Sequence, residues 1–326
     1  MTPARSNWQI QFLLMFVLGC GPAKEAQRLI ASAEESEKKG QVEVAAEMYH
    51  KAAHLSPSDF DVQFRTAVLY LKLDKLEESE EHLQQALSLR PEVGPAHLNL
   101  GVLFLKKGNK EEGRKELLEA LRLDPRLTKA YYNLGLIEVN ESRLEEAEKL
   151  FKKAISIDPN HQPSYVRLGN VYARQKKFPS ALEVLDQALN LDRSDWLLYF
   201  NMGLAYQGLG ENGKSLAAYR KAVELNPSSA PAHYNLGTLL LKMGNYTKAV
   251  SSLREAIKIN PQFADAFYNL AATYAHLGDK GNAVKELKNA IELNPSLAAE
   301  AEKDDDFKSL HSDPEFSEIT RQRPAG

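Results

Sequence analysis

His50 and His54 stand four residues apart. On a helix that spacing turns two imidazoles toward one side, where they can share a transition metal. No third ligand follows at zinc-site spacing, and both histidines fall on the outer, solvated side of the pattern described below, so ordinary surface histidines are expected. Gly208–Gly213, GLGENG, has the glycine spacing of a dinucleotide-binding turn. That chemistry needs a strand before the glycines and a helix N-terminus after them. Here the flanking pattern is helical on both sides, so the stretch reads as a turn. Asp304, Asp305 and Asp306 form an acidic run that reads as a solvated loop. No Ser–His–Asp or Cys–His pairing is brought together. These residues predict no catalytic group, no metal site and no cofactor, and hence a non-enzymatic chain.

The single cysteine, Cys20, ends the opening stretch MTPARSNWQIQFLLMFVLGC. Arg5 supplies positive charge, no acid occurs before Cys20, and Ile10–Leu18 is apolar apart from Gln11. That is the layout of a secretory signal, and it is shorter than a membrane-spanning helix needs. Val17, Gly19 and Cys20 resemble a bacterial lipobox, from which only Leu18 departs. The resemblance implies a signal peptide over 1–19, lipidation of Cys20 and a short tether over 20–25. It places the chain at the bacterial cell envelope, lipid-anchored at the outer membrane or on the periplasmic face of the inner membrane. An unprocessed start leaves it cytoplasmic.

Formal net charge is −3 over 326 residues, with 43% hydrophobic and 26% charged. Nothing in that balance favours nucleic acid, and it suits a folded chain. Self-comparison is more informative. Asn-Leu-Gly recurs at 99–101, 133–135 and 235–237, and steps of 34 residues lay out eight units: 26–59, 60–93, 94–127, 128–161, 162–195, 196–229, 230–263 and 264–297. Place 27 of the unit is Ala in all eight, from Ala52 to Ala290. Place 32 is Pro in all but unit 5, where Arg193 stands, and place 8 is always Gly or Ala. Each unit carries two apolar stripes of helical period separated by a turn, and the proline ends the second helix. One such hairpin cannot bury both stripes; stacking buries them.

Tyr131, Leu134, Gly135, Ala147, Phe151, Ala154 and Pro159 in unit 4 carry the signature spacing of the tetratricopeptide repeat. The eight units resemble that family. The resemblance implies an all-α, right-handed superhelical solenoid of antiparallel helix pairs. Residues 298–326 form a capping segment and tail, with Phe307, Leu310, Phe316 and Ile319 available to cover unit 8. Flexing is expected where units 5 and 6 meet, at Arg193, Trp196, Gly208 and Gly213.

In the family the first helix of each unit lines a concave groove. Place 6 there is Asn99, Asn133, Asn201, Asn235 and Asn269, with Arg65 and Arg167 in units 2 and 5. The row resembles the asparagine ladder by which some members hold a peptide backbone; an amide donates and accepts at once. Asn is also common at this place in the family, so two readings stand. Place 5 offers aromatic anchors at Tyr132, Phe200, Tyr234 and Tyr268. The carboxylate clamp of chaperone-binding members is absent, because it needs Lys where place 5 is apolar. Lys38, Lys72, Lys106, Arg174 and Lys242 share place 13, as complements to the helix dipole or as attractors of an acidic partner.

The expected function is a protein-interaction scaffold that binds extended partner segments in its groove and helps assemble a cell-envelope complex, with no nucleic-acid or small-molecule partner. The alternatives are a module recruiting substrates to a separate enzyme and, without processing, a cytoplasmic co-chaperone-like adaptor.

Overall fold

The computed structural model describes residues 21–321. The expected signal peptide over 1–19 and Cys20 lie outside them, as does the end of the tail from 322. Among the described residues there is no strand, and no helix is long and apolar enough to cross a membrane. The chain divides between His161 and Gln162 into two compact units.

The first unit holds α1 (Pro22–Lys38), α2 (Val42–Leu55), α3 (Phe60–Lys72), α4 (Leu76–Leu89), α5 (Gly94–Lys106), α6 (Lys110–Leu123), α7 (Thr128–Asn140) and α8 (Leu144–Ile157). The second holds α9 (Gln162–Arg174), α10 (Phe178–Leu191), α11 (Trp196–Gly208), α12 (Asn212–Leu225), α13 (Ala230–Lys242), α14 (Tyr246–Ile259), α15 (Ala264–His276) and α16 (Lys280–Leu293). It continues with α17 (Leu297–Ala301), a 3-10 turn (Asp305–Leu310) and α18 (Pro314–Arg321). Consecutive helices pair as hairpins, α1 with α2 through α15 with α16. These pairs are called repeats 1 to 8 below. The expected tether is shorter than its assigned span, because residues 22–25 are already helical. Pro22 sits at the helix start, where its missing N–H costs nothing, and Glu25 favours the first turn.

Three repeated places make the hairpin. The residue closing each first helix adopts a left-handed backbone in every repeat: Gly40, Asp74, Gly108, Ser142, Lys176, Gly210, Gly244 and Gly278. That conformation suits a helix C-terminus, and five of the eight positions use the residue that adopts it freely. At place 8 the two helices touch. A Cβ added to Gly135 lies 2.6 Å from the Phe151 ring, and one added to Gly203 lies 2.5 Å from the Tyr219 ring. Place 27 is fully buried in all eight repeats. At place 20, Ser79 and Ser215 satisfy their hydroxyls by donating to the carbonyls of Ala67 and Gly203 at 2.8 Å.

In the first unit Ala33, Tyr49, Val62 and Leu69 pack together, and Leu117, Ala130, Leu134 and Ile137 form a separate cluster between repeats 3 and 4. Glu138 is buried beside that cluster and hydrogen-bonded by Arg114 and Arg143. Burial pushes its carboxyl upward, but those hydrogen bonds outweigh burial and hold it below the usual carboxylate range. Glu141 joins the network through Lys110 at 2.8 Å and Arg114 at 2.9 Å.

In the second unit one core runs from Tyr219 to Ile319. Phe307, Leu310, Phe316 and Ile319 are buried in it, so the C-terminal segment closes the apolar end of repeat 8. The compact division falls one repeat before the expected flexing point. At the repeat 5–6 junction, Asp192 accepts the N–H of Ser194 at 2.8 Å, the same turn bond that Asp124, Asp158, Asn226, Asn260 and Asn294 make beside a proline, and Asp195 caps α11 by accepting the N–H of Leu197 at 2.9 Å. There α9 and α10 both pack on α11.

Candidate peptide-binding surface

The five place-6 asparagines meet three fates. In the first unit, Asn99 donates to the Pro95 carbonyl and Asn133 to that of Lys129, each at 2.7 Å and one turn back in its own helix. In the second unit, Asn235 does the same to Pro231 at 2.9 Å. This bond uses one amide hydrogen. The second N–H and the oxygen of each remain at a partly exposed surface, one donor and one acceptor side by side.

Asn201 and Asn269 differ. Asn201 has 0% exposure; it donates to the Val166 carbonyl at 3.2 Å and accepts from Asn170 at 3.0 Å. Asn269 donates to the Thr238 hydroxyl at 2.8 Å. Asn170 and Thr238 occupy place 9 of the preceding repeat. Ahead of Asn99, Asn133 and Asn235 that place is Val68, Val102 and Leu204, which offer no hydrogen bond. A polar place 9 therefore turns the next asparagine inward, and the expected row is corrected: Asn201 is a core residue and Asn269 is tied to its neighbour.

The aromatic anchors divide likewise. Tyr132 is partly buried against Phe151 and His161, with ring centroids 5.9 and 5.3 Å away. Phe200 lies 6.0 Å from both Trp196 and Tyr219, and Tyr234 4.7 Å from Phe263. Burial raises the Tyr234 hydroxyl above the ordinary tyrosine value, with a smaller push from Asp265. Tyr268 is not an open anchor. Its hydroxyl donates to Asp304 at 2.8 Å, Phe307 stacks edge-on at 5.1 Å, and burial followed by the hydrogen bond to Asp304 holds its proton on and raises its pKa. The C-terminal segment occupies its face. Asp306 adds a contact to His276 at 2.8 Å, so the acidic run is a clasp and not a solvated loop.

The histidines on the outer side do more than spacing predicts. His82, which sequence reasoning missed, joins His50 and His54 in a chain with 3.0 Å between successive ring nitrogens, and its other nitrogen meets Gln63 Oε1 at 2.6 Å. The Gln63 carbonyl oxygen requires a donor from His82 Nδ1, so His82 Nε2 accepts from His50 Nδ1 and His50 Nε2 accepts from His54. Because His50 faces its two neighbours with opposite nitrogens, the three cannot close on one ion. Among the described residues no group of three or more His, Cys, Asp or Glu side chains is arranged to hold a metal. Burial, with a smaller contribution from His50, pushes the His82 imidazole down to about 4. His97 and His233 are packing residues whose Nε2 donates to the carbonyls of Pro91 at 2.9 Å and Pro227 at 3.1 Å.

Tandem helix hairpins with small residues at each crossing and a partly open row of amides and aromatics define a helical-repeat interaction scaffold. Sequence profiles of the tetratricopeptide repeat match residues 30–93, 64–128, 128–161, 150–183 and 264–297, and the profile described as TPR repeat matches 169–210, 208–244 and 239–278. The chain belongs to the tetratricopeptide repeat family, and its fold is the all-α solenoid of that family. Among solved structures it is similar to the APC/C hetero-tetramer Cut9-Hcn1, with TM-score 0.66 and 17% identity over 90% of this chain and 54% of that one. It is also similar to YrrB, a TPR protein with an unusual peptide-binding site: 27% identity, 57% of this chain, 97% of that one, TM-score 0.46. MamA from Desulfovibrio magneticus RS-1 is 25% identical over 52% of this chain and 96% of that one, with TM-score 0.46. No curated protein sequence matches the chain.

Proposed function

We propose that this scaffold binds extended segments of partner proteins on the inner surface of its first helices, without catalysis. The observation that carries the reading is the half-used amide. Asn99, Asn133 and Asn235 each keep a donor and an acceptor toward solvent, beside the partly exposed rings of Tyr132 and Tyr234. A peptide backbone presents one N–H and one C=O per residue and pairs with such an amide whatever its side chains. An Asn133→Ala/Asn235→Ala variant should keep its helical circular dichroism and lose partner binding by about 1 kcal/mol per hydrogen bond. Unchanged partner affinity in a folded double variant contradicts the reading.

We further propose that the chain is a bacterial lipoprotein tethered through Cys20, working at the cell envelope in the assembly of a complex there. Support comes from the acid-free, apolar stretch that ends in Gly19 and the only cysteine. In Cys20→Ala cells the protein should leave the membrane fraction and keep residues 1–19. Unchanged partition with unchanged mass contradicts the anchor.

A further inference from the structure

Two imidazole nitrogens face each other on the outer side of repeat 1. His50 and His54 lie one turn apart in α2, and their Nε2 atoms stand 3.0 Å apart. Spacing alone leaves them an ordinary surface pair; the packing beneath turns them into an oriented one. Gln63 donates its amide hydrogens to the carbonyls of Ala53 at 3.3 Å and Pro57 at 3.4 Å, which leaves its oxygen to face His82 Nδ1 at 2.6 Å. That oxygen can only accept, so His82 carries its proton on Nδ1 and presents a bare Nε2 to His50 Nδ1 at 3.0 Å. His50 therefore holds its own proton on Nδ1, and its outer Nε2 is a lone pair.

An imidazole that donates one ring N–H to a fixed acceptor is oriented, and more basic at its other nitrogen, which is the usual setting of a metal-ligating histidine. The rings are also held by contact: buried Tyr70 lies 5.7 Å from the His50 ring and 5.8 Å from the His82 ring. His54 is exposed, and it supplies a second lone pair beside the first by carrying its proton on Nδ1. A cavity of about 230 Å³, with His54, Glu81, His82 and Gln85 in its lining, opens next to it and leaves room for solvent ligands. Glu81 and Glu78 are the acids whose charge reaches His50; Lys75 opposes them and lies over the Tyr70 ring at 5.5 Å. Two carboxylates against one ammonium favour a bound cation.

The separation of the two nitrogens selects the ion. With metal–nitrogen bonds of about 2.0–2.1 Å, a 3.0 Å separation subtends about 91–97° at the metal. That is the cis angle of a tetragonal ion. A tetrahedral one, at about 109°, needs the nitrogens about 3.3–3.4 Å apart, and a structural zinc needs four protein ligands. Tetragonal geometry with nitrogen and oxygen ligands suits Cu(II) and Ni(II), and Cu(II) binds the more tightly. We propose that His50 and His54 form a surface site for a tetragonal divalent ion, Cu(II) before Ni(II), with the two imidazole nitrogens in cis positions and solvent in the others. His82 is not a ligand, because both of its nitrogens are engaged. The site lies outside the inner-surface set and stands independently of it.

The probe is Cu(II) alone, added to the full chain carrying Cys20→Ser so that no thiol binds or reduces the ion. Titration against a competing chelator of known affinity should show a single tightest site. The electron paramagnetic resonance spectrum of that site should be tetragonal, with coupling to two imidazole nitrogens. His54→Gln changes one exposed residue; with its melting unchanged, it should weaken binding about tenfold or more and remove one nitrogen from the spectrum. A folded Gln63→Leu variant should bind about tenfold more weakly, because His50 then loses its fixed proton. Equimolar Zn(II) should not displace the copper. Copper held as tightly by His54→Gln as by the parent chain overturns the proposal, as does a spectrum without two coupled nitrogens or displacement by equimolar Zn(II). Full affinity in folded Gln63→Leu overturns it too, since the site rests on the tautomer that Gln63 sets.

Discussion

Asn201 and Asn235 share a residue type and a repeat place, yet one is core and the other is surface. Asn201→Ala should lower stability by about 1–3 kcal/mol, since it deletes the bonds to Val166 and from Asn170 at a fully buried site, whereas Asn235→Ala should leave thermal melting unchanged. The sequence already held the signal separating them, in the polar or apolar residue at place 9 of the preceding repeat. Thr238→Val should accordingly release Asn269 toward solvent, read as faster exchange of its side-chain amide protons. His82 was illegible for a different reason. Its partners are 32 and 19 residues away, a distance that only packing closes. Its folded imidazole, pushed down to about 4, stays neutral while the unfolded one takes a proton below about 6.5. Stability is therefore full above about pH 6.5, falls as pH drops toward 4, and levels off below; the loss reaches about 3 kcal/mol. Urea melts of the wild type and His82→Gln across that range check this: the variant should show the shallower fall.

The hairpin is the element best written in the sequence. Period, proline and small residues fix where helices start, end and cross, because each is a local steric requirement repeated eight times. Its left-handed turn residue was only partly legible: glycine marks five repeats, while Asp74, Ser142 and Lys176 hold the same backbone at φ 59° without that signal. Lys176→Gly and Ser142→Gly should each raise stability by about 0.5–1 kcal/mol, less the entropy of a freer unfolded chain, seen as an upward shift in urea midpoint. The C-terminal segment was legible as a cover from its four apolar residues. That it would also claim Tyr268 was not, because the Asp304 contact depends on how the 3-10 turn lies across α15. Phe307→Ala should cost about 3–5 kcal/mol and unfold repeat 8 first, observable as early loss of amide-exchange protection in α15 and α16.

At the scale of the whole chain, a solenoid is stabilised by neighbours, so a lesson learned on one repeat spreads only to the next. Ala154→Leu overfills a fully buried crossing in repeat 4 and should cost about 1–3 kcal/mol, splitting thermal unfolding into two transitions. The same architecture explains why function is less legible than fold. Every repeat must keep its crossing residues, whereas a partner reads only the few side chains left partly open. The central claim is that those side chains, on the inner surface of the first helices, receive a protein segment. Site-specific photo-crosslinking in the native cell tests it most directly, with a benzoylphenylalanine replacing Tyr234 in one strain and the exposed outer residue Leu118 in another. A discrete partner adduct from position 234, weakened when Asn235→Ala is added and absent from position 118, is the predicted result. Adducts from 118 with none from 234, in folded proteins of equal abundance, would contradict the account.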